Sequence, residues 1–142
     1  MNLTNKESIA HYFCNNEVEF VIHLVAVASI PKCESNKKLA WDTNVQGTRN
    51  ILEASQMHKV KKFLYLQSAC IFSGEDVEMY NEDSLPDPKH YYGLTKLIAE
   101  EIVKTSNTPD FQTVVVRTNF TTMPWEYPKA FTDRFGTYLF AQ

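Results

Sequence analysis

Three short runs of apolar residues divide the chain into segments. They read FVIHLVA over 20–26, KFLYLQSA over 62–69 and QTVVVRTNF over 112–120. Each run is rich in β-branched and aromatic residues, and apolar positions fall on both of its alternating faces. This pattern is typical of parallel strands covered on both sides, so it predicts three buried β-strands.

Amphipathic segments separate these runs. In the segment over 37–57, the residues that share one helical face are Val45, Thr48, Leu52 and Ser55. Their three-to-four-residue spacing predicts a helix. A second helix is predicted over 90–104, and a shorter one over 5–16 before the first strand. Strands that alternate with helices in this way predict right-handed βαβ crossovers within one α/β sheet.

Composition narrows the class of protein. The 142 residues are 44% hydrophobic and 22% charged, which is typical of a single globular domain with its own core. The net charge of −3 provides no basic surface, so we expect no nucleic-acid partner. No apolar run approaches the roughly 18 residues of a membrane span, and the polar start MNLTNKES does not resemble a signal peptide, so we expect no membrane partner.

Cysteine and histidine positions add two expectations. Cys14, Cys33 and Cys70 show no C-x-x-C spacing, which predicts free thiols and a reducing, cytoplasmic location. The four histidines lie far apart in the chain, without the spacing of metal ligands. We therefore predict no metal site.

The helix predicted over 90–104 carries a tyrosine and a lysine four residues apart, Tyr92 and Lys96. Residues at this spacing lie on the same face of a helix. The apolar stripe of this helix is predicted at Leu94, Leu97, Ile98 and Ile102. The tyrosine and lysine point away from that stripe, which favours a chemical role for the pair over packing in the core.

The pair is physically suited to acid–base chemistry. A phenol has a pKa of about 10, and lowering it to about 7 requires roughly 4 kcal/mol. A lysine cation about 4 Å away supplies on the order of 4 kcal/mol at an effective dielectric constant of about 20. Ser68 ends the second predicted strand and is the candidate hydroxyl for holding a substrate oxygen, because ligands bind at the carboxyl ends of parallel strands.

Five linked motifs carry a family resemblance. In chain order they are VIHLVA, NVQGTRNILEAS, FLYLQSACIFSG, YYGLTK and VVVRTNF. Over about residues 18–120, their order and spacing resemble the extended short-chain dehydrogenase/reductase family. Within it, the resemblance is to NAD-dependent epimerases/dehydratases and dTDP-4-dehydrorhamnose-reductase-like proteins. It implies a Rossmann-type fold, NAD or NADP as cofactor and a nucleotide-sugar substrate.

The resemblance also implies roles for individual residues. Tyr92 would be the catalytic acid/base, Lys96 would lower the pKa of Tyr92 and bind the nicotinamide ribose, and Ser68 would be the third catalytic residue. The positions implied to line the cofactor cleft are Ala26, Asn44, Tyr92, Lys96, Asn119, Phe120 and Thr121. From the residues alone, two structural alternatives stay open. Ser68 could simply end a strand, and Asn44 could be a buried polar group that binds the backbone.

The sequence departs from the family at both ends. Its four glycines lack the G-x-x-G-x-x-G spacing that cradles a pyrophosphate. We therefore expect a partial Rossmann-type parallel sheet of three core strands with flanking helices, without the first βαβ portion. One partial NAD(P)-binding domain is expected over 1–142, with 121–142 as the start of a truncated substrate-binding region. The strand at 20–26 would then be an exposed edge. The helices over 37–57 and 90–104 correspond to the family's dimer interface, so a homodimer is expected.

These expectations combine into one leading hypothesis and two alternatives. The leading hypothesis is a fragment of an NAD(P)-dependent nucleotide-sugar oxidoreductase or epimerase that uses a Ser-Tyr-Lys triad and is weak or inactive alone. The alternatives are a non-catalytic interaction module and a half-enzyme that a partner chain completes. The missing glycine-rich turn favours the alternatives, whereas the presence of Ser68, Tyr92 and Lys96 together favours an enzyme.

Overall fold

The computed structural model describes residues 1–75 and 80–118. Its elements in chain order are α1 (Lys6–Cys14), β1 (Phe20–His23), α2 (Ile30–Ser35), α3 (Lys37–Trp41), α4 (Thr48–Met57), β2 (Lys62–Ser68), α5 (Tyr91–Thr105) and β3 (Gln112–Thr118). A π-helical turn, Asp42–Gly47, joins α3 to α4, and a 3-10 turn, Ala69–Ile71, follows β2. Within the described part of the chain, no helix is long and apolar enough to cross a membrane.

The three predicted strands form one parallel sheet in the order β1-β2-β3. Ile22 lies opposite Leu64, which in turn lies opposite Val114. Helices connect successive strands, so the prediction of a partial Rossmann-like α/β fold is confirmed. The predicted cleft residues Asn119, Phe120 and Thr121, and the segment 121–142, lie outside the described residues.

The main core lies between one face of the sheet and the helices α1, α4 and α5. Phe63 and Tyr65 of the central strand are fully buried there, against Ile51 and Leu52 of α4 and Val103 of α5. Fully burying an apolar side chain of this size stabilises the fold by roughly 2–3 kcal/mol. The helices of both crossovers, α4 and α5, therefore pack against the same face of the sheet.

The other face of the sheet is largely uncovered by the described residues. Ile22 is 66% exposed and Val114 is 45% exposed, while Leu64 and Leu66 are half-buried. The prediction that the strands are covered on both sides is therefore wrong for this face, as far as residues 1–75 and 80–118 are concerned. In that part of the chain β1 pairs with β2 alone, so β1 is an edge strand, as expected.

Helix α5 buries a different face from the one that its apolar residues predict. Its buried residues are Tyr92, Gly93, Thr95, Lys96, Ala99, Glu100 and Val103. In contrast, Leu94 is 41% exposed, and the rest of the predicted stripe is only partly buried. The prediction was wrong because polar side chains of this helix find hydrogen-bond and ion-pair partners inside the fold. The tyrosine and lysine do share one face, but it is the buried one.

Candidate active site

The amino-terminal end of α5 packs closely against the turn that follows β2. A Cβ atom at Gly93 would lie 2.2 Å from the carbonyl oxygen of Cys70, a distance that no side chain tolerates. Glycine at this position therefore allows the helix to approach the end of the strand. The close approach brings Tyr92 next to Ser68.

Replacing Gly93 with alanine is expected to destabilise the fold by roughly 1–3 kcal/mol, because the added methyl group forces the helix away from the turn. In an unobstructed helix the same substitution would stabilise by about 1 kcal/mol. Chemical denaturation measures the difference, with the exposed neighbour Leu94→Ala as the control. An unchanged or increased stability of the Gly93 variant would contradict the close approach.

Two side chains cap the first turn of α5. Nδ1 of His90 accepts a hydrogen bond from the Gly93 N–H at 3.0 Å, and Oε1 of Glu34 accepts one from the Tyr91 N–H at 2.6 Å. The carboxylate also interacts favourably with the positive end of the helix dipole. Sequence reasoning missed both residues. Histidine is not a usual N-cap residue, and Glu34 is distant in the chain.

The structure brings Ser68 and Tyr92 together at the carboxyl end of β2. The Ser68 hydroxyl lies close enough to the Tyr92 hydroxyl to influence its pKa, and Oγ of Ser68 accepts a hydrogen bond from the Cys70 N–H at 3.2 Å. Burial raises the pKa of Tyr92 above its ordinary value of 10.0, and the nearby Ser68 hydroxyl opposes this effect. The phenol of Tyr92 is therefore protonated and neutral at pH 7.

Lys96 is buried one helical turn beyond Tyr92. Its ammonium donates a hydrogen bond to the Leu66 carbonyl oxygen at 2.7 Å and lies 4.0 Å from the centre of the Tyr65 ring. Burial lowers the pKa of Lys96 from 10.5 to about 7, although the carboxylate of Glu100 acts in the opposite direction. That Lys96 lowers the pKa of Tyr92 therefore stays a prediction. The ammonium is directed at the strand, and the pKa of the phenol is raised.

Asn44 lies in the π-helical turn, where it ties the segment after β1 to α5. Its Oδ1 accepts a hydrogen bond from the Val27 N–H at 2.7 Å, and its Nδ2 donates one to Oγ1 of Thr95 at 3.0 Å. These contacts match the alternative in which Asn44 is a buried polar group that binds the backbone. Ala26 is partly buried in the same small cluster as Tyr92. Contact of either residue with a cofactor remains a prediction.

His23, at the end of β1, is a satisfied core histidine. Oγ1 of Thr48 donates a hydrogen bond to the Asn44 carbonyl oxygen, so it accepts one from Nε2 of His23 at 2.9 Å. Burial and the nearby charge of Lys96 lower the pKa of His23 to about 4. The imidazole is therefore neutral at pH 7 and provides no positive charge to the site.

A buried ion-pair network lies next to Lys96. The carboxylate of Glu100 is fully buried and accepts hydrogen bonds from Arg117 at 2.6 Å, Lys104 at 2.5 Å and Gln67 at 2.6 Å. Sequence reasoning assigned none of these residues. The available signal was the spacing of Glu100, which lies four residues beyond Lys96 and so on the same helical face.

A cavity of about 710 Å³ opens on the β3 side of this network. Its wall includes Phe72, Tyr80, Glu100 and Arg117, but none of Ser68, Tyr92 or Lys96. We therefore define the candidate site by the geometry of the hydroxyl pair and the lysine. Within residues 1–75 and 80–118, no group of three or more His, Cys, Asp or Glu side chains could hold a metal ion.

Similarity to known proteins provides independent information. The NAD dependent epimerase/dehydratase family model matches residues 1–139. The UDP-glucose 4-epimerase of Bacillus subtilis is 28% identical over 109 residues, which is 77% of this chain and 32% of that protein. The chain spans about a third of the length of the curated relatives it matches.

Two solved structures illustrate the likeness in three dimensions. The dTDP-4-dehydrorhamnose reductase of Bacillus anthracis in complex with NADP is 28% identical, with a TM-score of 0.76 over 84% of this chain and 42% of the reductase chain. The UDP-glucose 4-epimerase of Thermus thermophilus in complex with NAD has a TM-score of 0.77 over 82% of this chain and 39% of its own. At 24% identity, the second comparison concerns the fold alone.

Proposed function

The chain belongs to the NAD dependent epimerase/dehydratase family, and on that basis we propose that it carries the catalytic residues of an NAD(P)-dependent oxidoreductase or epimerase that acts on a nucleotide sugar. The observation that carries the proposal is the proximity of the Ser68 and Tyr92 hydroxyl groups at the carboxyl end of a parallel strand, with Lys96 one turn away. We propose residues 1–142 as one partial NAD(P)-binding domain, with 121–142 as the start of a substrate-binding region.

The three side chains have distinct proposed roles. In the direction of reduction, the phenol of Tyr92 gives its proton to the carbonyl oxygen of the sugar, and Ser68 donates a hydrogen bond to that same oxygen. In the direction of oxidation, the phenolate takes the proton from the sugar hydroxyl. The raised pKa of Tyr92 favours the first direction. The second direction requires the ammonium of Lys96 to turn from the Leu66 carbonyl towards the phenol.

The residues at the carboxyl end of the parallel strands are suited to the nicotinamide end of a dinucleotide. When bound, NAD or NADP supplies the acceptor or donor of a hydride. The ammonium of Lys96 and the hydroxyl of Tyr92 would hold the ribose, with Ala26 beside them. Asn44 would act by fixing the segment after β1, because its amide group already binds Val27 and Thr95. The sequence contains no G-x-x-G-x-x-G turn for the pyrophosphate. We therefore expect weak binding, and weak or no activity, from this chain alone.

Titration of the purified chain with NADH and NADPH, followed by nucleotide fluorescence, tests the proposal. We expect saturable binding that Lys96→Ala weakens about tenfold, because a hydrogen bond to a charged group contributes about 1.5–3 kcal/mol. Lys61→Ala is the matched control, since this lysine is exposed and pairs with Glu19. Absence of wild-type binding up to about 1 mM, a free energy weaker than about −4 kcal/mol, would exclude a stand-alone enzyme.

A second candidate function is favoured by the uncovered side of the sheet. Ile22 of the edge strand and Leu24 beyond it are both more than half exposed, and unpaired edges accept further strands. The chain would then be a non-catalytic interaction module, or a half-enzyme completed by another polypeptide. Mixing the chain with family members that lack a functional Tyr-Lys pair distinguishes these two. Activity that neither component shows alone identifies the half-enzyme, and complex formation without activity identifies the module.

The exposed part of α5 supports one further proposal about assembly. Leu94 is exposed, and Leu97, Ile98 and Ile102 are partly buried along the same side of the helix. Together with the helical segment over 37–57, this surface is suited to a homodimer. The free thiols of Cys14, Cys33 and Cys70 are consistent with a reducing compartment, so we propose a cytoplasmic location.

A further inference from the structure

Gln67 connects the end of β2 to the middle of α5. Its Nε2 donates hydrogen bonds to the Lys96 carbonyl oxygen at 2.9 Å and to Oε2 of Glu100 at 2.6 Å. Its Oε1 accepts a hydrogen bond from the Ser68 N–H at 2.8 Å. One buried amide group therefore contacts the backbone of two proposed catalytic residues, without contacting the side chain of either.

The carboxylate of Glu100 fixes the orientation of this amide. Nε2 of Gln67 faces two acceptors, the carboxylate and the Lys96 carbonyl, and a flipped amide would direct its oxygen at both of them. Glu100 is held in place by Arg117 of β3, whose Nη2 lies 2.6 Å from Oε1. The orientation of Gln67, and with it the hydrogen bond to the Ser68 N–H, thus depends on the buried negative charge.

The same charge acts on the ammonium of Lys96, because both side chains are buried on the same face of α5, one helical turn apart. Titratable and charged groups surround that ammonium on every element that packs against it. They are His23 of β1, Tyr65 of β2, Tyr92 and Glu100 of α5, and Arg117 of β3, which lies behind Glu100. At pH 7, His23 is neutral because its pKa is about 4, and burial raises the pKa of both tyrosines. Glu100 is therefore the negative charge among these groups, and it raises the pKa of Lys96 against the effect of burial.

We propose that Glu100 and Gln67 are positioning residues, which together hold Ser68 at the strand end and favour the charged form of Lys96 beside it. This inference rests on the proposed function, since Ser68 and Lys96 matter only as parts of that site. Gln67 sets the backbone geometry, and Glu100 sets both the orientation of Gln67 and the charge on Lys96.

The test compares Glu100→Gln with Glu101→Gln in the full chain. The control removes the same charge from the next residue of the helix, where the carboxylate is exposed and pairs with Lys104. The first readout is the pH midpoint of the Lys96 side chain, followed through its 13Cε resonance. We expect Glu100→Gln to lower the midpoint by about one pH unit, a tenfold change in the protonation equilibrium, and Glu101→Gln to leave it unchanged.

A second variant keeps the inference testable if Glu100→Gln does not fold. Gln67→Met retains the side-chain length and the Glu100–Arg117 ion pair, but removes the hydrogen bond to the Ser68 N–H. We expect hydrogen exchange at the Ser68 amide to become about tenfold faster relative to its neighbours in β2, which corresponds to about 1.4 kcal/mol. An unchanged Lys96 midpoint in Glu100→Gln, or unchanged Ser68 exchange in Gln67→Met, would overturn the proposal.

Nucleotide titration separates this failure from failure of the proposed function. If wild-type protein binds NADH and Glu100→Gln binds equally well, the positioning role is wrong while the site stands. If wild-type protein does not bind NADH, the proposed function fails. The resonance and exchange measurements then still decide whether Glu100 and Gln67 control Lys96 and Ser68.

Discussion

Replacing Lys96 with methionine is expected to increase the free energy of unfolding at pH 6 by about 1–4 kcal/mol, although it removes a proposed cofactor contact. Lys96 is 4% exposed, and burial lowers the pKa of its ammonium to about 7. Below that pH the folded protein carries a buried positive charge. Methionine fills a similar volume without this charge, at the loss of one hydrogen bond to the Leu66 carbonyl and of the contact with the Tyr65 ring.

The sign of the pH dependence provides a second check on Lys96. Between pH 7 and the unfolded value of 10.5, the unfolded chain binds a proton at Lys96 that the folded chain has released. The wild-type stability should therefore rise with pH above 7, by up to about 1.4 kcal/mol per pH unit. Above about pH 9, Cys33 and the buried tyrosines oppose this rise, because their raised pKa values keep protons bound in the folded state.

Chemical denaturation of both proteins from pH 6 to pH 9 measures this difference. The stability of Lys96→Met should lack the rise that the wild-type protein shows. Lys61→Met is the control, because its ion pair with Glu19 is exposed and surface ion pairs contribute little to stability. Parallel wild-type and Lys96→Met profiles would show that Lys96 does not carry a destabilising charge. If Lys96→Met is more stable but binds nucleotide less well than the wild-type protein, Lys96 is a functional residue that reduces stability.

Replacing Arg117 with methionine is expected to have the opposite effect, a loss of about 3–5 kcal/mol at pH 7. Two hydrogen bonds from its guanidinium reach the fully buried carboxylate of Glu100, and a third reaches the Glu82 carbonyl oxygen at 2.9 Å. Without Arg117, the carboxylate retains Gln67 and the partly exposed Lys104. The loss of the better-buried of its two cations is the main cause of the destabilisation.

Acidic pH should reduce the cost of the Arg117 substitution. In the wild-type protein, hydrogen bonds from Arg117, Lys104 and Gln67 hold the pKa of Glu100 below its usual value of 4.5. Glu100 therefore stabilises the wild-type fold above that pH, and the stabilisation is lost as the pH falls through the folded pKa. In the variant, a protonated Glu100 is tolerated, so the two stabilities should converge towards pH 4. Lys104→Met is the matched control, with an expected loss of about 1 kcal/mol. Equal losses in both variants would contradict a dominant role for Arg117.

The strands could be predicted from sequence because their side chains alternate over short, β-branched runs. Coverage of the sheet could not be predicted in the same way. The apolar residues Ile22 and Val114 indicate a buried face in the sequence, yet residues 1–75 and 80–118 leave that face exposed. An apolar residue in a sequence indicates that its side chain is suited to burial. It does not indicate which segment or molecule covers that side chain.

The site was predictable to the extent that it follows from spacing. Tyr92, Lys96 and Ser68 could be singled out as candidates because a helical turn and a strand end fix their positions. Glu100 and Gln67 were missed because their partners come from different elements. A buried Glu is unfavourable until Arg117 is known to lie beside it. For the same reason the apolar stripe of leucines and isoleucines was predicted to be the buried face of α5, although the buried face carries Thr95, Lys96 and Glu100.

The parallel sheet also determines how the chain must fold. Ile22 pairs with Leu64, and Leu64 pairs with Val114, so each ladder joins residues on either side of a complete helical crossover. No hairpin can nucleate such a sheet, because loop closure has to precede every strand pairing. Helices such as α5 form locally within about a microsecond. The sheet forms only when both neighbouring strands have paired with the central strand. We therefore expect the docking of β1 and β3 on β2, with the burial of Phe63 and Tyr65, to be the slow step in folding.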